Sequence, residues 1–509
     1  MIHASNDNPI LDDPRLASLT SWDADWADLR VVVLGIGISG FAAADTLIEL
    51  GARVVVIDGR DSEANRQKAE TLGIVGSADV LLGAQAVAGL PQVDGQDPQL
   101  VVTSPGFRPD DPVLSEAVAR GIQIWGDVEL AWRIRERAGR PTAAWVCITG
   151  TNGKTTTVQM AEAMLQAGGL KALAVGNVGT PILDALRDPV DYDVLAVELS
   201  SFQLHWAHSL SPLAAVCLNV AEDHVDWHGG FENYVADKSR IYENCQVAAV
   251  YNVSDPRTRQ MVEEADVVEG CRAIGFTAGN PDVSMLGVVE DLLVDRAFLD
   301  DRRNQALEVG LVESIKPVPT PHGVTNALAA AALARAAGVS GEDIANGLAA
   351  WEPGGHRIQP VAKTFGVVWV DDSKATNPHA AAASLSAFDP VVWIAGGLAK
   401  GTDSSALVAA HARRLRAVVL IGTDNDRLEA ALAASAPDVP ILRAADGLED
   451  ASDGEAVMRA AVEAAHRVAV DGDTVLMAPA AASMDQFRDY AHRGDAFARS
   501  VADLVERLS

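Results

Sequence analysis

Cysteine is scarce: the 509 residues hold four, Cys147, Cys217, Cys245 and Cys271, with no CxxC pair. That spacing excludes a zinc ribbon and a disulfide scaffold and suits a reducing cytoplasm. Positive charge is short as well. Lys and Arg number 40 against 70 Asp and Glu, a net charge of −30. Such a balance repels phosphate backbones and anionic membranes, which argues against nucleic-acid and lipid partners. It leaves nucleotide sites open, because those are built locally from backbone N–H groups and one or two lysines. No stretch approaches ~18 uninterrupted apolar residues, so no membrane span is expected. The N-terminus lacks a basic segment and a long apolar one, so no signal peptide is read there. Repeats in the solenoid range are missing too.

What is present fits a folded, multidomain protein: 49% apolar and 22% charged residues, with a length that suggests about three domains. Residues 1–28 are polar, with Trp22 and Trp26 one helical turn apart, and a loosely docked extension with one short helix is expected. From Arg30 the pattern becomes short β-branched runs alternating with Ala-rich amphipathic segments. VVVLG (31–35), RVVVID (53–58) and LVVTSP (100–105) read as strands, and FAAADTLIEL (41–50) as a helix. A second series starts after Gly139-Arg-Pro with AWVCITG (144–150), a helix near 155–167, and strands near 193–198 and 214–220. An acidic stretch at 255–312 reads as further strands or loops, before a helix at 325–337. A third series follows Trp351, with strands near 366–371, 391–396, 417–421 and 474–478 and a helix at 405–415. The alternation predicts three α/β domains with mainly parallel sheets, 29–135, 136–353 and 354–509.

Four groups of residues carry chemistry. Gly35-Ile-Gly37-Ile-Ser-Gly40 lies between a strand and a helix, with Asp58 ending the next strand. Glycines there let the backbone approach a pyrophosphate, and the acidic residue is placed for a ribose hydroxyl. NAD, another diphosphate such as a nucleotide sugar, and a purely structural turn all remain open on this pattern. Gly150-Thr151-Asn152-Gly153-Lys154-Thr155-Thr156 again joins strand to helix, and predicts backbone N–H groups and a lysine around a triphosphate. It departs from the usual phosphate loop, since Ile148 stands six before the lysine. Glu198 ends a strand, and Asn219 leads into Glu222-Asp223-His224-Val-Asp226-Trp-His228. A carboxylate at such a place suits Mg²⁺, whereas no third soft ligand has zinc spacing. Last come Gly354-Gly-His356-Arg357, Asp371-Asp372-Ser373-Lys374-Ala-Thr376-Asn377-Pro378 and Pro479-Ala-Ala-Ala-Ser483, the latter two at the carboxyl ends of strands, where ligands sit in open α/β sheets.

Taken together these residues resemble the Mur ligase family. TGTNGKTT (149–156), GNVGTP (176–181), ELSSFQL (198–204), NVAEDHVDWHG (219–229) and DKSRIYEN (237–244) are similar to its central domain in order and spacing. DDSKATNP (371–378) and APAAASMDQF (478–487) resemble the branch that adds D-glutamate. The resemblance implies a Rossmann-like N-terminal domain, a central P-loop-type ATPase domain and a Rossmann-like C-terminal domain. It implies a cytoplasmic monomer that uses ATP to join D-glutamate to UDP-N-acetylmuramoyl-L-alanine through an acyl phosphate, in peptidoglycan precursor synthesis.

By the same resemblance, Gly150 to Thr156 hold ATP, Lys154 and Thr155 meeting phosphates and Mg²⁺. Glu198 and His224 would ligate two Mg²⁺, together with Lys238 in carbamylated form. Asn326 would read adenine, with Arg357 and Asp372 on phosphate and ribose. Lys374 would act at the reaction centre, and Thr376, Lys400, Ser483 and Tyr490 in the D-glutamate pocket. Asn177 and Ser200 would contact the muramoyl-alanine portion, and Ile38, Ser39, Asp58, Gly59 and Arg60 the UDP. The chain departs from the family pattern at Gly323 after His322, at GGLAKGTD (396–403), and at Ala478 and Ala481. A nicotinamide-dependent dehydrogenase would explain the first glycine motif but leaves the phosphate loop unused. Within the family, a diamino-acid ligase should carry a DNPR-like motif, and the nearest string is DNDR (424–427). A non-catalytic paralogue would have no need of Lys154, Glu198, His224 and Lys238 together.

Overall fold

A computed structural model describes residues 13–508 apart from 77, 178 and 399–402. The β-branched runs form three sheets. The first is fully parallel, in the order β3-β2-β1-β4-β5, from β1 (Arg30–Leu34), β2 (Arg53–Asp58), β3 (Asp79–Leu82), β4 (Leu100–Thr103) and β5 (Gln123–Gly126). Val31 to Leu34 are fully buried, because helices cover both faces; hence the continuous apolar run rather than an alternating one.

The second sheet is built from β6 (Ala144–Thr149), β7 (Ala172–Gly176), β8 (Val194–Glu198), β9 (Ala214–Cys217), β10 (Ala248–Asn252), β11 (Arg272–Phe276), β12 (Met285–Val289), β13 (Leu292–Asp295) and β14 (Leu307–Leu311). Its order is β14-β13-β12-β11-β10-β9-β6-β8-β7. Pairing is parallel through β12 and antiparallel for β13 and β14. The acidic stretch thus supplies the far edge of this sheet.

The third sheet comprises β15 (Gln359–Thr364), β16 (Val367–Asp371), β17 (Val391–Ala395), β18 (Leu415–Leu420), β19 (Ile441–Arg443) and β20 (Thr474–Met477), ordered β15-β16-β20-β17-β18-β19. Only the pair β15–β16 is antiparallel. The helix expected over 405–415 is shorter. It spans Ser405–His411, a 3₁₀ turn covers Ala412–Arg414, and Leu415 opens β18. Burial of Leu415 and Ala417 to Leu420 in the sheet overrides the helical propensity of that end.

The first two sheets belong to one compact unit, residues up to 311 with 325–350, and the third sheet to another, 312–324 with 351–509. Within the first unit, Trp206 enters the core that also holds Val32, Leu34, Ile57 and Val101.

The described part of the N-terminal segment, residues 13–28, is packed, not loose. Its short helix is Pro14–Ser18, capped by Asp13, while Trp22 lies in a turn and Trp26 in irregular chain. Leu16, Leu19, Trp26 and Leu29 are buried. Trp26 meets Trp125 edge-on at 6.4 Å, and Arg133 Nη1 donates to the Leu16 carbonyl at 2.9 Å. Large apolar groups made the difference: burying one side chain of this size stabilises by roughly 1.5–3 kcal/mol. Among the described residues no helix is long and apolar enough to cross a membrane.

Candidate active site

The phosphate loop sits between β6 and the helix Lys154–Ala167. Gly150 at φ +150° and Gly153 at φ +86° give the turn its left-handed corners. A Cβ on Gly153 would lie 2.6 Å from Asn326 Oδ1, so the helix Pro321–Ala336 brings Asn326 directly against the loop. Asn219, past the end of β9, clamps the same turn. Its Oδ1 accepts from Asn152 N at 3.0 Å and its Nδ2 donates to Asn152 O at 3.1 Å. Thr151 Oγ1 shares a 2.9 Å hydrogen bond with Tyr234 OH. Lys154 Nζ donates to the carbonyls of Gly150 and Thr151 at 2.8 and 3.0 Å. Thr155 and Thr156 follow in the first turn of the helix, whose N-cap Gly153 adds no side-chain cap.

Beside the loop, Glu198 closes β8, whose partner is β6. It is buried, one carboxylate oxygen accepting from Asn177 Nδ2 at 3.1 Å and Oε2 having no hydrogen-bond partner. The next helix, Ser201–His205, is capped by Ser200 in a reciprocal capping box with Gln203, so the Ser200 hydroxyl is occupied by the helix end. Lys238, on the helix Phe231–Ser239, is also buried. Its Nζ lies 3.1 Å from the Gly150 carbonyl and 4.7 Å from the Tyr234 ring centre. Burial, with the Lys154 charge adding to it, pulls its ammonium down to about 7. His224 stands at φ +51° at the start of the short helix Val225–His228, about half exposed. Burial, offset in part by Asp223 and reinforced by Lys238, His228 and Lys154, lowers its imidazole from the usual value. The structure therefore gathers Lys154, Lys238, His224, Asn326 and the loop, with Glu198 on the adjoining strand.

Sequence reasoning missed what stands behind them. Asp237, next to Lys238 in sequence, receives His205 Nδ1 at 2.9 Å and His228 Nδ1 at 2.7 Å, with Arg240 at 3.6 Å. Burial raises its carboxyl, but these hydrogen bonds and charges outweigh it and hold the group below the usual range. The visible signal was the string DHVDWHG itself, where His228 invited only a zinc reading.

In the first sheet, the loop Gly35–Gly40 is as tight as the motif requires. A Cβ on Gly40 would lie 1.9 Å from the Gly35 carbonyl. Ile38 is exposed at the start of the helix Ile38–Glu49, next to Ser39. Asp58 spends both oxygens on backbone, accepting from Ile36 N at 2.9 Å and Arg60 N at 2.8 Å. Gly59 and Arg60 follow at the rim.

In the second unit, Lys374 Nζ rests 3.9 Å above the Tyr490 ring. Asp372 is buried, accepting from Ile358 N and Ser384 Oγ, and burial pushes its carboxyl up to about 6 despite those bonds and the nearby Arg357. Ser483 is buried, and Thr376 N donates to the Lys374 carbonyl at 2.8 Å. Lys400 lies outside the described residues. Arg493, absent from the sequence reading, is buried and ties this cluster together. Its Nε and Nη2 donate to Ser373 Oγ and O, and its Nη1 to Ala481 O. An arginine on the apolar face of Tyr490–Leu508, in line with Ala496, Phe497, Val501 and Leu504, was the available signal. His356 Nδ1 contacts Asp371 Oδ2 at 2.6 Å, and a Cβ on Gly494 would collide with both. Gly323 has a steric reason: a Cβ there would lie 3.0 Å from Ile315 and 3.2 Å from Thr320 Oγ1.

The fold and the loop define a three-domain α/β protein with a phosphate-binding turn in its second sheet. Family models for a Mur ligase MurD-like N-terminal domain, a Mur ligase middle domain and a Mur ligase glutamate ligase domain match residues 29–126, 148–334 and 356–481. A UDP-N-acetylmuramoylalanine–D-glutamate ligase from Leifsonia xyli is 51% identical over 97% of this chain and 96% of its own. One of the same name from Streptomyces avermitilis is 53% identical over 94% and 99%. Among solved structures, MurF from Acinetobacter baumannii has a TM-score of 0.55 at 18% identity, covering 89% of this chain and 90% of that one. MurC from Thermotoga maritima has a TM-score of 0.53 at 17% identity, covering 93% and 99%. The chain belongs to the Mur ligase family.

Proposed function

We infer that this protein is the ligase that joins D-glutamate to UDP-N-acetylmuramoyl-L-alanine at the expense of ATP, in peptidoglycan precursor synthesis. Near full-length identity above 50% to ligases of that name carries the reading. The geometry agrees with the chemistry. A carboxylate resists an amine until its oxygen becomes a leaving group. Transfer of the ATP γ-phosphoryl to the L-alanine carboxylate forms an acyl phosphate. The D-glutamate amine then attacks the carbonyl carbon, and the tetrahedral intermediate loses phosphate. Bringing two anions together needs fixed positive charge. Lys154, at the helix N-terminus, supplies it by exchanging the Gly150 and Thr151 carbonyls for phosphate oxygens. Asn326 meets the nucleotide beside Gly153, and Asn177 and Ser200 face the muramoyl-alanine portion. Ile38, Ser39, Asp58, Gly59 and Arg60 receive the UDP, so the first glycine loop serves a nucleotide sugar rather than NAD.

Mg²⁺ is ordinarily held by one or two carboxylates together with phosphate and water. No cluster of three or more His, Cys, Asp or Glu among the described residues forms a cage, and the unpartnered Glu198 Oε2 fits that sparse pattern. Glu198, Thr155, His224 and Lys238 would hold two such ions. When bound, such ions would supply positive charge against the charge developing on the transferred phosphoryl. A lysine pulled down to about 7 presents a neutral amine, whose lone pair can attack carbon dioxide with loss of a proton. The carbamate so formed turns Lys238 into an oxygen ligand. In the second unit, Arg357 and Asp372 serve the nucleotide. Lys374, Thr376, Lys400, Ser483 and Tyr490 hold D-glutamate, whose two carboxylates call for cations and hydroxyls. The chain works as a cytoplasmic monomer.

The test is phosphate release from ATP with UDP-N-acetylmuramoyl-L-alanine and, separately, D-glutamate, L-glutamate, L-alanine or diaminopimelate. Release with D-glutamate alone is expected, and release with another amino acid instead overturns the specificity. Lys154→Ala should lose at least ~10³-fold in turnover while still binding the UDP substrate.

A further inference from the structure

Ser201, His228 and Asp237 come from three different helices and meet in one buried line. His228 Nδ1 stands 2.7 Å from Asp237 Oδ2, and His228 Nε2 stands 3.0 Å from Ser201 Oγ. With Asp237 ionised, Nδ1–H donates to the carboxylate and Nε2 accepts from the serine hydroxyl. The array has the composition of a nucleophilic triad, but Ser201 is 3% exposed and opens a helix, so no substrate carbonyl can reach its Oγ. Its partners are instead the three elements that carry the reacting groups. Ser201 follows Ser200 and Glu198, His228 closes the short helix begun by His224, and Asp237 precedes Lys238.

The imidazole is fixed from every side. Its backbone carbonyl accepts from Asn233 Nδ2 at 2.9 Å. Phe202 stacks on it at 5.6 Å and 11°, and the same Phe202 touches His224 at 4.8 Å. Tyr234, whose hydroxyl bonds Thr151 in the phosphate loop, packs edge-on against it at 5.2 Å. His205, the second imidazole on Asp237, takes up the remaining carboxylate capacity. The Asp237 carboxylate is thereby turned toward two histidines and Arg240, leaving Lys238 with Thr149, Gly150 and the Tyr234 face.

We propose that His228 is a positioning residue, which through Asp237 and Ser201 locks the helices bearing Lys238 and His224 to the strand end bearing Glu198. The inference rests on the ligase reading above. Groups that orient ligating side chains from behind ordinarily change activity by about 10–100-fold when removed, because reacting atoms misplaced by an ångström lose most of their advantage.

The experiment compares full-length wild type with His228→Ala, His228→Asn and His228→Gln. Asn keeps a donor near the Nδ1 position and Gln a polar atom near Nε2, so each preserves one of the two bonds. Phosphate release with D-glutamate, ADP binding by calorimetry and melting temperature are measured on each. His228→Ala should lower kcat by about 10–100-fold with the Kd for ADP within about twofold, and His228→Asn should recover at least part of that loss. A kcat within about threefold of wild type overturns the proposal. So does a loss that neither conservative variant relieves, or one matched by an equal loss of ADP binding. Should His228→Ala fail to fold, Asp237→Asn, which keeps the shape without the charge, decides by the same split. A wild-type protein inactive with D-glutamate refutes the ligase reading itself, whatever the variants do.

Discussion

Lys238 shows how much a single residue's surroundings dictate. Its ammonium is buried beside Thr149, the Gly150 carbonyl and the Tyr234 ring, and the Lys154 charge adds to the burial penalty, which Asp223 and Asp237 offset only in part. Its folded-state value near 7 lies below the ordinary 10.5. Between those two pH values the unfolded chain holds more protons on this residue than the folded one, so folding stability rises with pH across that window. Lys238→Met removes the effect. In buffer free of carbon dioxide, the variant should be the more stable protein near pH 6. Its advantage should shrink through pH 7–10, by on the order of 1 kcal/mol per unit at most. Denaturant titrations at several pH values measure this, and a difference that does not vary with pH would contradict the burial argument. Asp58 teaches the converse. Its carboxylate is half-buried yet engaged by two backbone N–H groups, so it shapes the turns at Ile36 and Arg60.

At the scale of elements, the helix Tyr490–Leu508 is held to the third sheet by an unusual anchor. Arg493 crosses its apolar face to bind the loop after β16 and the loop after β20. Burial lowers this guanidinium to about 10, with Asp485 and Asp371 opposing the shift. Arg493→Met would fill the space but strand the carbonyls of Ser373 and Ala481, at a cost on the order of 3 kcal/mol. Chemical denaturation should show that loss together with weaker D-glutamate binding, and a change below about 0.5 kcal/mol would mean that the anchor is dispensable. Arg493→Lys should not rescue, since a point charge cannot make the forked contacts.

Much of this was visible in the sequence. Strand runs such as Val31–Leu34 and Trp145–Ile148 are continuously apolar because both faces are covered, and they announce a parallel sheet without ambiguity. The tight turn at Gly150–Gly153 and the place of Glu198 at the end of β8 were equally plain, since glycines and a strand-end acid are read from local sequence. Arg493, His205 and Asp237 were not, because their partners lie far along the chain or on other helices. The docking of Trp26 was hidden for the same reason: its pocket is made by Trp125, almost a hundred residues on. Local patterns carry elements and motifs, and only tertiary packing reveals which polar side chain faces which.

Across the whole molecule the dominant electrostatic fact is the net charge of −30. Among the described residues many ion pairs, such as Arg53–Asp28, Arg66–Asp61 and Arg259–Glu263, are solvent-exposed and contribute little each, so self-repulsion outweighs them at low ionic strength. Raising salt from about 0.01 to 0.15 M shortens the screening length from roughly 30 to 8 Å. The melting temperature should therefore rise, which calorimetry would record; a fall would show that specific ion pairs dominate instead.

Trp206 carries a different consequence. Its indole lies in the core of the first sheet, while the residue before it, His205, belongs to the Asp237 array. One peptide bond separates the packing of one family-defined domain from the polar array of the next. Evolution can exchange modules only where few contacts cross a seam, and here the seam runs through a tryptophan. The N-terminal and middle domains should therefore travel through descent as a single inherited cassette. Chimeras that splice a foreign first domain onto this chain near residue 135 would need Trp206 and its pocket from the same parent.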